Sequence, residues 1–212
     1  MILGLNLEVF IMLASGIFYL ICASFLWKPF KKEKNELIGA LFAFLIYQAL
    51  SMFFMGLEME TKNILYSNIA SISVFIGSVY MLKFPFSFFP KIVSKILFFL
   101  SLAGVIALFL WFIETPEKEL ALMNFTAWYD IVINGLVVGG SIITFAFLVP
   151  ERWMKIKAAG GAGGIVSCCV ISGASMLGGA LVASTVFQFL APVLIICSLV
   201  ISNKKKRQVQ TQ

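Results

Sequence analysis

Seven mostly apolar runs, at 8–27, 37–56, 64–83, 92–113, 129–149, 158–181 and 184–202, take up most of this 212-residue chain. An α-helix rises about 1.5 Å per residue, so crossing about 30 Å of hydrocarbon takes roughly 20 apolar residues, the length of each run. The runs predict an all-α polytopic membrane protein, a bundle of seven transmembrane helices. Connections this short leave no room for a soluble domain of about 50 residues or more. The chain therefore reads as one transmembrane domain over residues 1–203, followed by a basic tail at 204–212. Composition agrees: 61% of residues are hydrophobic and 12% charged, against about 25% charged in soluble domains.

Charge in the connections predicts orientation. Fourteen of the sixteen Lys and Arg fall after the first, third, fifth and seventh runs. They are Lys28, Lys31, Lys32 and Lys34, then Lys83, Lys91 and Lys95, then Arg152, Lys155 and Lys157, and finally Lys204, Lys205, Lys206 and Arg207. The other connections hold Lys62 and Lys118 with Glu8, Glu58, Glu60, Glu114, Glu117 and Glu119. Short cation-rich loops stay on the cytoplasmic side, which places the N-terminus outside and the C-terminus inside; the expected location is a plasma membrane of the bacterial inner-membrane type. The first run is expected to be retained, because a signal peptide opens on cations, whereas Glu8 precedes this run and Lys28 follows it. Trp27 and Trp153 mark the inner boundary, Trp111 and Trp128 the outer one. Pro85 and Pro90 are expected to stop the third helix and Pro150 the fifth, since proline lacks a backbone donor.

Several functions are excluded at this stage. The formal charge of +6 is spread through loops instead of forming a stripe with interleaved aromatics, so nucleic acid is not an expected partner. The expected partner is the bilayer itself, with Lys204 to Arg207 anchoring the last helix at anionic lipid. Cys22, Cys168, Cys169 and Cys197 all fall inside apolar runs without metal-site spacing, and the chain contains no histidine. The usual ligands of zinc and haem are thus missing, and no metal or cofactor is expected. Neither a catalytic triad nor a GxSxG or HExxH motif can be assembled, so the chain reads as a non-enzyme.

What is left for function is a small set of polar groups in apolar runs. Asp130 reads as a solvated acid one turn from the outer end of the fifth helix, or as a site for a cation or amine at the outer mouth. Asn63, Ser67, Ser71 and Ser78 lie within roughly 80° of one another at 100° per residue, a polar stripe that must face other helices. The stripe reads either as helix-packing glue or as the lining of a cavity for a small neutral ligand. Asn134 and Gln188 carry larger amides, costly to bury unpaired, and are candidate ligand-binding groups with Ser67, Ser71, Ser78 and Asp130. In the sixth run, Gly160, Gly164, Cys168 and Ser172 recur every fourth residue and share one face, which predicts close helix packing. Pro192 is expected to kink the seventh helix and to free the carbonyl of Gln188.

The run Trp27-Lys28-Pro29-Phe30-Lys31-Lys32-Glu33-Lys34-Asn35, the aromatic-rich second run and the segment Phe84-Pro85-Phe86-Ser87-Phe88-Phe89-Pro90-Lys91 together resemble the seven-helix sensor region at the N-terminus of some bacterial histidine kinases. Pro150-Glu151-Arg152-Trp153, leading into a glycine-led sixth helix, is similar too. The resemblance implies an input module whose last helix passes a signal inward. Only Gln208 to Gln212 follow Arg207, so no kinase domain is expected on the chain and the signal would pass to a separate membrane or cytoplasmic signalling protein. Retinal chemistry is excluded, because the seventh run holds no lysine. A small neutral-solute transporter with the topology of the PQ-loop carriers, which are built from two parallel three-helix repeats, is the alternative. It predicts a polar cavity near the midplane lined by Asn134, Gln188 and the third-run serines. A structural subunit packed through the sixth helix is the third reading.

Overall fold

The computed structural model describes residues 7–113, 119–148 and 150–210. These residues form helices joined by short turns, with no strand among them. Helix α1 is Leu7–Glu33, α2 is Glu36–Thr61 and α3 is Ile64–Met81, extended by a single helical turn at Lys83–Phe86; α4 is Lys91–Ile113. Helix α5 is built from Glu119–Tyr129, a π-helical Asp130–Val138 and Gly139–Leu148. Helix α6 likewise joins Arg152–Ile165, a π-helical Val166–Ile171 and Ser172–Leu177, and α7 is Leu181–Gln210. Seven helices are long and apolar enough to cross a membrane, as the seven runs require.

Most helices outrun the apolar runs that announced them, and the reasons are local. Helix α1 continues through Pro29 to Glu33, and the left-handed Lys34, φ 47°, turns the chain. Asn35 then caps α2, its Oδ1 accepting from Leu37 N at 2.8 Å. Asn63 caps α3 in the same way, accepting from Leu65 N at 3.0 Å. Both supply acceptors to first-turn N–H groups that have no partner within the helix, so Asn63 serves as a cap. Helix α3 ends at Met81, four residues before Pro85, whose missing donor leaves the Met81 carbonyl unserved. Pro85 itself lies inside the turn Lys83–Phe86, and the chain leaves the helical path only ahead of Pro90.

Neighbouring helices α1–α2, α2–α3, α3–α5, α5–α6 and α6–α7 pack in sequence, and α7 returns to α1, closing a ring. Helix α4 lies outside it against α3, with 6% of its apolar window buried. It is held by an aromatic contact in which the rings of Tyr80 and Phe98 meet edge to face at 5.6 Å and by a small cluster around Phe75, Val79 and Val105. Inside the ring the core runs through Tyr19, Phe44, Leu45, Met52, Val138 and Ile165.

The small-residue face of α6 lies against α7. A Cβ on Gly160 would overlap Ser198, and one on Gly164 would meet Ile195 Cγ1 at 2.7 Å and the carbonyl of Ala191 at 3.0 Å. Further along, Ser172 and Ser184 share a hydrogen bond at 2.8 Å. Helix α7 is continuous through Pro192. The carbonyl of Gln188, whose helical donor the proline ring removes, accepts instead from the Tyr19 hydroxyl at 3.4 Å, and the same hydroxyl reaches Cys168 Sγ at 3.0 Å. Tyr19 thus joins α1, α6 and α7. Tyr19→Phe is expected to lower stability by about 1 kcal/mol, read as a fall in the thermal midpoint of the purified protein. An unchanged midpoint would remove this role.

Candidate functional site

Between α2, α3, α5, α6 and α7 lies a partly open cavity of about 200 Å³, room for roughly half a dozen waters at about 30 Å³ each. Helix α2 contributes Gln48, Ser51 and Glu58 to its wall, and α3 contributes Ser67 and Ser71. From α5 come Thr126 and Asp130, from α6 Cys168 and Ser172, and from α7 Gln188. Met52, Met55, Ala70 and Val74 are among the apolar remainder. These positions fall in the last half of α2, the first half of α3, the first part of α5, the end of α6 and the start of α7. The cavity therefore occupies the half of the bundle away from the basic connections. Toward the basic ends, the interior is filled by Leu45, Ala49, Met81, Val138 and Ile195.

Three polar atoms in this wall have no hydrogen-bond partner within the protein: Gln48 Nε2, Ser51 Oγ and Gln188 Oε1. Gln48 is 2% exposed and Ser51 0%. A buried polar group left unpaired costs about 1–3 kcal/mol, so these three atoms depend on what fills the cavity, water or a ligand, for their partners. Gln48→Met keeps the volume and removes the amide. It is expected to raise the stability of the ligand-free protein by about 1 kcal/mol. A loss of stability instead would mean that the amide is satisfied in the fold and is not reserved for a ligand.

Asp130 is placed differently from the expectation. Helix α5 starts at Glu119, so Asp130 stands about three turns inside it, in the cavity wall and not at a helix end. The polar residues Asn124 and Thr126 interrupt the apolar pattern, so the apolar run opens only near Tyr129. Asn134 Nδ2 donates to Asp130 Oδ1 at 2.6 Å and to Ser78 Oγ at 2.5 Å, and Ser78 in turn donates to the carbonyl of Val74 at 2.7 Å. Asn134 and Ser78, both fully buried, pair with each other behind the wall and do not line the cavity. Of the candidate ligand-binding residues, the cavity brings together Ser67, Ser71, Asp130 and Gln188. Cys168 and Ser172, expected to serve packing alone, sit in its wall as well.

Gln48, Ser51, Glu58 and Thr126 were missed by sequence reasoning. A signal existed, because Gln48, Ser51 and Glu58 lie within about 80° of one another on α2 at 100° per residue. It was hidden by reading Glu58 as a loop acid.

The π-helical parts of α5 and α6 pack on each other beside the cavity. Their contact depends on glycine. A Cβ on Gly135 would overlap Val170, and one on Gly173 would meet Ile131 Cγ1 at 3.1 Å and the carbonyl of Ala127 at 3.3 Å. At the opposite end of the bundle, a hollow of about 490 Å³ is lined by Lys83, Lys91, Lys95, Phe98 and Phe99, with Lys83 Nζ 4.9 Å from the Phe98 ring centre. Cations beside aromatics are what headgroup level favours. Among the described residues no group of three His, Cys, Asp or Glu is arranged to hold a metal ion. Comparison with protein-family models, with curated proteins and with solved structures finds no match for this chain.

Proposed function

We propose that this chain is a non-enzymatic receptor or sensor module of a bacterial plasma membrane, with its N-terminus outside and its C-terminus in the cytoplasm, and that a small polar ligand enters the cavity from the outer face. The observation that carries this reading is the cavity wall, where buried polar atoms of Gln48 and Ser51 lack partners. Such atoms are stabilised when a ligand supplies what the fold does not. The apolar filling toward the basic ends supports access from one side. Helix α7 is the natural output: Gln188 lines the cavity, and from there the same helix runs on without a break to Gln210, about 33 Å at 1.5 Å per residue. Its basic end would meet a separate signalling partner, as the resemblance to kinase sensor regions implies.

A carrier is the second reading, favoured by the paired π-helical segments beside the cavity. Such segments often mark functional sites and are places where a helix can change shape. Two measurements separate the readings. A membrane-impermeant maleimide applied to intact cells should label Lys62→Cys and spare Lys34→Cys; the reverse pattern would invert the proposed orientation. Proteoliposomes should pass glycerol and ethanolamine no faster than protein-free liposomes, and protein-dependent flux would favour the carrier.

A further inference from the structure

Resting on the cavity being a ligand site, the geometry points to a ligand class: we infer that it takes a small organic cation, a protonated amine that also carries a hydroxyl or carbonyl acceptor. The wall holds two carboxylates, Asp130 and Glu58, and no lysine or arginine among the described residues. Asp130 accepts from the neutral amide of Asn134. Carboxylates within a membrane bundle are normally paired with a cation or line a polar path, and here the protein's own side of the cavity offers no such cation. The unpartnered atoms lean the same way. Gln188 Oε1 adds a third acceptor, Ser51 Oγ can act in either role, and Gln48 Nε2 is the single dedicated donor. A matching ligand therefore brings several N–H donors to the carboxylates and Gln188, and one acceptor to Gln48.

Size and lining favour an organic cation over a bare metal ion. A space of about 200 Å³ is several times the volume of one water, about 30 Å³, and Met52 and Met55 present soft thioethers against which methylene groups can pack. The ammonium is assigned to Asp130 and Glu58, and the acceptor end to Gln48 and Ser51.

The test uses the full chain in lipid nanodiscs, in potassium phosphate buffer free of amines and of sodium, with thermal unfolding and ligand-observed NMR as readouts. The probes are ethanolamine, propylamine, glycerol, glycolate and sodium ion. Ethanolamine should bind saturably, glycerol and glycolate should not, and propylamine should bind more weakly than ethanolamine for want of an acceptor. Asp130→Asn should raise the half-saturating ethanolamine concentration at least about tenfold, as loss of a charge-assisted hydrogen bond requires, and Asp130→Glu should restore part of it. Glu58→Gln, nearer the end of its helix, gives the same test if Asp130→Asn fails to fold. Gln48→Met should weaken ethanolamine while leaving propylamine unchanged. Binding of glycerol or glycolate in preference to either amine would leave the cavity reading standing and overturn the cation. Stabilisation by sodium with no further gain from ethanolamine would also overturn it, as would equal ethanolamine binding by wild type and both carboxylate variants. If no probe of any charge binds the folded, monodisperse protein, the ligand class and the cavity reading fall together.

Discussion

Gly160→Val is expected to lower stability by about 3 kcal/mol or more, enough to leave much of the protein aggregated or degraded on expression. The cause is the closeness of α6 to α7. The position a Cβ would take is already filled by Ser198, with the carbonyl of Leu194 at 3.4 Å. Ser198 is short, its hydroxyl is bonded to the carbonyl of Ile195 at 2.8 Å, and it has no long flexible end to swing aside. Two helices must then move apart along their length, and the contacts at Gly164 and at Ser172 with Ser184 weaken with them. Gly161 provides the control, because a Cβ there would meet nothing within 4 Å. Gly161→Ala should be neutral or add up to about 1 kcal/mol through helix propensity. Folded yield by size-exclusion chromatography and the thermal midpoint of both variants decide the matter. If valine at Gly160 is tolerated as well as alanine at Gly161, the close approach of α6 and α7 is wrong.

Asn134→Ala is expected to cost about 2–3 kcal/mol, since it withdraws two hydrogen bonds at once and one of its partners is a carboxyl group. The amide nitrogen bridges Ser78 on α3 to Asp130 on α5, and Asn134 and Ser78 are fully buried. Deleting the amide takes the donor from Asp130 Oδ1 and from Ser78 Oγ, which keeps only its own bond to the carbonyl of Val74. The cost should shrink when the partner is removed as well. In the Asn134→Ala, Ser78→Ala pair the combined loss should fall short of the sum of the single losses by about 1 kcal/mol, the signature of a direct contact in a double-mutant cycle. Strict additivity would mean that the two side chains do not meet. Because Asn134 also holds Asp130, Asn134→Ala should disturb ligand binding beyond its effect on folding.

The seven helices were legible because hydrocarbon thickness imposes a length that no other fold class shares, and each run in the chain meets it. Helix ends were less so. They depend on capping by Asn35 and Asn63 and on where Pro29 and Pro85 fall in a turn, details that average hydropathy does not register. The candidate site was half legible for a related reason. Two α5 residues that build it, Thr126 and Asp130, and Glu58 on α2 are polar enough to look like loop, so the chemistry that forms the cavity also shortens the apolar runs. Ser78 and Asn134 stood out as uncommon polar groups in apolar surroundings, but the sequence holds no information on whether two such groups face each other or face a cavity. Helix packing decides that, and it paired them. The four-residue spacing from Gly160 to Ser172 was the clearest long-range signal, because small residues repeating on one face have few uses besides letting a second helix come near.

The π-helical stretches in α5 and α6 give residue number a meaning that residue identity does not capture. A helix bonded five residues apart holds one more residue than its α-helical equivalent over the same span, so whatever follows is rotated by about 100° relative to an uninterrupted helix. If the Asp130–Val138 segment closed into an ordinary α-helix with no residue removed, Gly139 and Ile142, both now buried, would swing toward lipid, whereas removing one residue as it closed would leave them in place. In these two helices the phase between the cavity half and the basic half is set jointly by residue count and hydrogen-bond spacing, and a change in either one alone would turn the two halves against each other.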